Sequence, residues 1–130
     1  MNTPMSAPIE VAGDVVEIRP GESFERAFAE AIIAAVDDVR TRHPRVFLLA
    51  ASGGTITTDA RKYISEWLRT TSVPLETAVW GGGAVQRAIA EMIARSVHFF
   101  RPGRVHISFH RTRDDALAWI AEQRRGPPPF

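Results

Sequence analysis

Between two patterned segments lies Ser52-Gly-Gly-Thr-Ile-Thr-Thr58, a stretch that offers hydroxyls at Ser52, Thr55, Thr57 and Thr58. Hydroxyls just before a helix can do three kinds of work. One can be a nucleophile, if a base and an orienting group stand beside it. One can carry a phosphate, which the positive end of the helix tolerates. Any can cap the helix by accepting a bond from its first free amides. Ala50-x-Ser52-x-Gly54 is a degenerate nucleophile elbow. No segment supplies a base and an orienter for Ser52 or Thr55, so no catalytic residue is assigned and the chain is read as a non-enzyme.

A second group is Trp80-Gly81-Gly82-Gly83. Glycines between a strand and a helix can turn free amides toward an anion, and the carboxyl ends of strands are where α/β sheets bind ligands. Against a dinucleotide site, Gln86 stands where the third glycine of G-x-G-x-x-G belongs. Trp80, Gly81, Gly82 and Gly83 therefore remain candidates for anion or ligand binding. A third pair, His106 and His110, reads H-x-x-x-H. On a strand that spacing spans roughly 13 Å, too far for one tetrahedral zinc. With no cysteine in the chain, no thiolate site exists either. No metal and no cofactor are implied.

Alternating elements must position these groups. Ile9–Val11 and Asp14–Ile18 flank Ala12-Gly13, a hairpin pattern. Ser23 is the expected N-cap of a helix running to about Arg42, with an apolar stripe of Phe24, Phe28, Ile32, Val36 and Val39. His43-Pro44 ends it. Val46–Ala50 is apolar on both faces, as in a covered strand. Residues 52–58 read as a loop, and Thr57 or Thr58 caps a second helix striped by Ala60, Tyr63, Ile64, Trp67 and Leu68. Leu75–Trp80 is a strand, and Val85, Ile89, Met92 and Ile93 mark a third helix. Val105–His110 is a further strand, expected half-exposed at the sheet edge, with His106, Ser108 and His110 on one side. Thr112 with Asp115 opens a last helix as a capping box.

The pattern predicts one α/β domain: a mostly parallel central sheet of about four to five strands, about four helices, and an N-terminal strand or hairpin at one edge. Residues 1–8 read as a flexible tail, 9–123 as the domain, and 124–130 as a flexible Pro-rich tail. A length of 130 residues with 45% apolar side chains is one core-forming domain. The longest unbroken apolar runs hold six residues, against roughly 20 for a membrane span. The N-terminus lacks the basic and apolar regions of a signal peptide, so a cytoplasmic location is expected. Net charge is +1, but residues 1–40 hold eight acids against three bases, and residues 84–113 hold six arginines against Glu91. These halves either form opposed docking faces or neutralise each other on folding. No feature calls for nucleic acid.

Thr77-Ala-Val-Trp-Gly81, Val85-Gln-Arg87 and Phe109-x-x-Thr112-x-x-x-Ala116-Leu-Ala-Trp119-Ile120, together with Asp59-Ala-Arg61, resemble the STAS-like proteins. That group includes the anti-sigma-factor antagonists and small bacterial STAS/CRAL-TRIO-type domains. The likeness covers roughly residues 9–123 and implies a regulatory domain that binds a protein partner, here through residues 52–68. Antagonist members carry a phosphorylatable Ser or Thr where a core strand leads into a helix, usually after an Asp. This chain has Ala50-Ala51-Ser52 there, with Thr55, Thr57 and Thr58 behind, so the acid is missing. Two alternatives stay open. One is a small-molecule or anion receptor, for a nucleotide or a lipid-like ligand, using the crevice near 80–83. The other is a small hydrolase using Ser52 or Thr55, since Ser52–Ile56 is similar to the Thr-Gly-Gly-Thr-Ile loop of asparaginases. Both enzyme folds with such loops are far longer than this chain.

Overall fold

Runs of apolar, mostly branched side chains build the centre of the sheet. The computed structural model describes residues 8–53, 55–70, 75–83 and 105–127. Strands β1 (Ile9–Ala12) and β2 (Val15–Ile18) form an antiparallel hairpin with Ala12 opposite Val15. Its two-residue loop begins at Gly13, whose φ of 61° is left-handed, as the first central residue of such a hairpin turn requires. β2 then pairs in parallel with β4 (Phe47–Ala51), β4 with β6 (Leu75–Trp80), and β6 with β7 (Val105–His110). The sheet is mixed, of five strands in the order β1-β2-β4-β6-β7.

Parallel neighbours need crossovers. Helix α1 (Arg26–Arg40) links β2 to β4, and α2 (Thr58–Thr70) links β4 to β6. Both pack on one face of the sheet, where Val16, Ile18, Leu48 and Ala50 meet Ile32, Val36 and Val39 of α1 and Leu68 of α2. The third described helix, α3 (Arg113–Arg125), covers the other face. There Ala116 and Ile120, both buried, sit on Val15, Phe47, Leu49 and Ala78. Alternation along the strands assigns each residue to one face or the other.

Several expectations need adjustment. Helix α1 begins at Arg26 with Glu25 at its N-cap, not at Ser23. Ser23–Phe24 instead form strand β3, paired in parallel with β5 (Thr55–Ile56) inside the stretch expected to be a loop. The reason is backbone satisfaction: Thr55 N–H donates to Glu22 O at 2.8 Å and Thr57 N–H to Phe24 O at 3.0 Å. The helix expected around Val85–Ile93 lies outside the described residues, as do residues 1–7. Arg124 and Arg125, expected in a flexible tail, form the last turn of α3. Thr112 caps that helix as expected, its Oγ1 accepting from Asp115 N–H at 3.1 Å. Among the described residues no helix is long and apolar enough to cross a membrane.

Acids of the N-terminal part hold α3 in place. Arg113 donates to both carboxylate oxygens of Glu17 at 2.7 and 2.9 Å, and Arg124 to both of Asp14 at 2.9 and 2.7 Å. Arg45 likewise grips Glu76 through both oxygens and donates to Gly126 O, the C-cap of α3, at 2.9 Å. Glu76 is only 2% exposed, so its charge is tolerable only because a guanidinium fork answers it. Part of the charge asymmetry along the chain is thus cancelled by folding.

Candidate functional site

The residues singled out as two separate groups meet at one place. β4 delivers Ser52 and β6 delivers Trp80–Gly83 to the carboxyl end of the sheet. Ser52 N–H donates to Trp80 O at 2.8 Å, and Gly81 N–H to His110 O at 3.1 Å. These bonds carry the parallel ladder just past the ends of β4 and β6. Gly81 and Gly82 then turn the chain with φ of 74° and 73°. At Gly81 the space beside Cα is open, but at Gly82 an added Cβ would fall inside the Ser52 hydroxymethyl group. Only glycine fits at Gly82, on grounds of both φ and space.

The hydroxyls divide by role. Thr57 Oγ1 accepts from Ala60 N–H at 3.1 Å, so Thr57 caps α2. Thr55 is exposed on β5, and Thr58 is exposed as the first residue of α2. Ser52 is half-buried and lies between Gly82 and the interior. No described residue exchanges a hydrogen bond with Ser52 Oγ. As for the glycines, the Gly81 amide is taken by His110 O, so it is not available to an anion.

Beneath Ser52 is a cavity of about 180 Å³ between α1, α2 and the sheet. Its walls include Phe24, Ile32, Leu48, Ala50, Ile64 and Trp67. The sheet's opposite face at the same end carries a cluster of rings. Trp119 of α3 lies 5.2 Å from His106 and 5.9 Å from His110, centroid to centroid. His106, Ser108 and His110 do share a side, as alternation predicts, but α3 lies against the histidines of that side rather than solvent alone. Next to His110 in register is Trp80. Trp80 Nε1 and His110 Nε2 are both buried without a hydrogen-bond partner among the described residues. The sheet separates these rings from the cavity above which Ser52 sits.

Displaced pKa values mark the clamps of α3 rather than this crevice. Hydrogen bonds from Arg124 and Arg113 hold the Asp14 and Glu17 carboxyls below the usual carboxylate range, against the upward push of burial. Their arginine partners are raised in turn. Among the described residues no group of three His, Cys, Asp or Glu side chains could hold a metal ion.

Sequence reasoning missed the cavity, the Ser52–Gly82 contact and the clamps. For the clamps a signal existed: Glu17 and Glu76 lie within mainly apolar strands, and an acid inside a sheet demands a cationic partner. No family model, curated protein or solved structure matches the chain.

Proposed function

We propose that this chain is a non-enzymatic regulatory domain of the STAS-like kind. It docks a protein partner on the surface made by residues 52–58 and the outer face of α2 through residue 68. The observation that supports this reading is the packing of Ser52 against Gly82. It joins the Ser52–Thr58 segment and the Trp80–Gly83 turn into one rim, so a change at either is felt at both. The rim carries exposed hydroxyls at Thr55 and Thr58, and α2 adds exposed Asp59, Lys62 and Glu66. This is a polar surface of the kind that surrounds a docking site. A phosphate on Thr58 would sit at the N-terminus of α2 without displacing anything and would change the charge a partner meets. The same group on Ser52 would have to push Gly82 aside. A bacterial cytoplasmic setting belongs to this reading and rests on the resemblance.

The test uses the full chain as bait, with the captured partner then titrated against purified variants. Thr58→Asp and Lys62→Glu should weaken binding at least tenfold with little change in melting temperature. Ala34→Asp, on the exposed side of α1, should leave binding unchanged. Equal binding by all of them would refute the proposed surface.

A further inference from the structure

Protein interiors are packed as densely as organic crystals, and voids larger than a water molecule are few. The cavity of about 180 Å³ between α1, α2 and the sheet, which opens to the surface, leaves apolar wall unfilled beside that dense packing. Its walls are apolar side chains from both helices and from the sheet, and Ser52 borders it as well. Water is a poor occupant, because a buried water needs two to four polar partners. An apolar void of about 150 Å³ stays dry and takes up a benzene-sized molecule. Phe24 and Trp67 supply aromatic surfaces in this one, and rings pack well edge-to-face on such surfaces. Ser52 Oγ, with no hydrogen-bond partner among the described residues, is free to donate or accept.

We infer that this cavity binds a small aromatic molecule, of one ring with a short substituent, that carries a single hydrogen-bonding group placed at Ser52. The lining does not suit a charged ligand: among the described residues no Lys, Arg, Asp or Glu borders it, and an unpaired charge would be expelled. Selectivity comes from two contacts. The apolar walls fix size, and Ser52 separates a phenol-like ligand from the matching hydrocarbon. Because Ser52 also touches Gly82, occupancy is sensed at the Gly81–Gly83 turn on the surface. This inference does not depend on the partner-docking reading, and its test contains no partner.

The experiment follows the methyl resonances of the full chain by two-dimensional NMR during titration with p-cresol and, separately, toluene. Saturable shifts are expected at Ile32, Leu48 and Ile64, with p-cresol binding several-fold more tightly than toluene. Ser52→Ala should abolish that preference while keeping toluene binding. Ala50→Leu grows a side chain into the cavity, so it should remove binding of both probes and leave the melting temperature equal or higher. Should that variant fail to fold, Ile64→Phe fills the same space from α2 and carries the same expectation. Absence of saturable shifts in the unmodified chain would overturn the inference. So would equal affinity for the two probes, or binding that survives in the folded filling variant.

Discussion

Ser52 places its hydroxymethyl group in the volume that a Cβ on Gly82 would need. Two strand ends are thereby locked side by side, and the lock is testable at single atoms. Gly81→Ala meets open space and suffers only its left-handed φ, which costs about 1–2 kcal/mol. Gly82→Ala suffers the same φ plus overlap with Ser52, which adds about 1–3 kcal/mol. Adding Ser52→Gly should return Gly82→Ala to the level of Gly81→Ala. Urea unfolding of the four variants measures this as a coupling free energy. A coupling near zero would show that the two residues do not touch.

The buried pair Arg45–Glu76 gives a second expectation. Arg45→Met leaves the 2%-exposed Glu76 without its partner and should cost about 3–5 kcal/mol. Replacing both, as Arg45→Met with Glu76→Leu, should recover most of that loss, because a matched apolar pair avoids desolvating charge. Chemical denaturation of the single and double variants decides it. A double variant no better than Arg45→Met would mean that the pair also does something besides neutralise.

Helix α3 offers a third. Ile120 is buried to 1% exposure, so Ile120→Ala should cost about 2–5 kcal/mol. Trp119 is only partly buried, resting on His106 and His110. Its exposed part puts Trp119→Ala below the range of about 3–5 kcal/mol for a fully buried ring. Melting curves should therefore rank Ile120→Ala as at least as damaging as Trp119→Ala.

Acid should loosen the same helix. Asp14 and Glu17 have lowered pKa values in the fold, first because of their arginine hydrogen bonds. At mildly acidic pH the unfolded chain binds more protons at these sites than the folded one. Their contribution is thus complete above the ordinary carboxylate pKa, about 4, and is lost as pH falls through the depressed folded values. Stability measured from pH 6 to pH 2 should decline in that lower window. The decline should be shallower in Asp14→Asn and Glu17→Gln. An unchanged profile in both would remove the clamps from the account.

Much of the frame was legible because period carries it. The apolar runs at 75–80 and 105–110 became strands where expected and that at 46–50 became one shifted by a residue, Phe47–Ala51, while Ile32, Val36 and Val39 became the inner stripe of α1. Thr112 announced the start of α3 from its type and spacing alone. What failed to show was whatever depends on distant neighbours. Two-residue strands such as Ser23–Phe24 and Thr55–Ile56 have no period to read, and their pairing hid the N-cap at Glu25, just past the expected Ser23. Glu17 pairs with an arginine 96 positions away, and no local pattern could name it. Ser52 and Gly82 were each noticed for their own chemistry, but only the parallel register of β4 and β6 brings them into contact.

The position of α3 has a consequence for how the chain is made. A ribosome releases β2, β4 and β6 well before residues 113–125, yet that helix alone, among the described residues, covers the second face of their sheet. Until it arrives, Val15, Phe47 and Leu49 lack the cover that Ala116 and Ile120 give them, and Asp14 lacks Arg124, 110 positions downstream. The nascent sheet therefore shows apolar surface that α3 will cover until residues 113–125 have emerged, a state prone to sticking to other chains. Docking of α3 must wait for contacts about 96–110 positions apart, which places it among the late steps of folding.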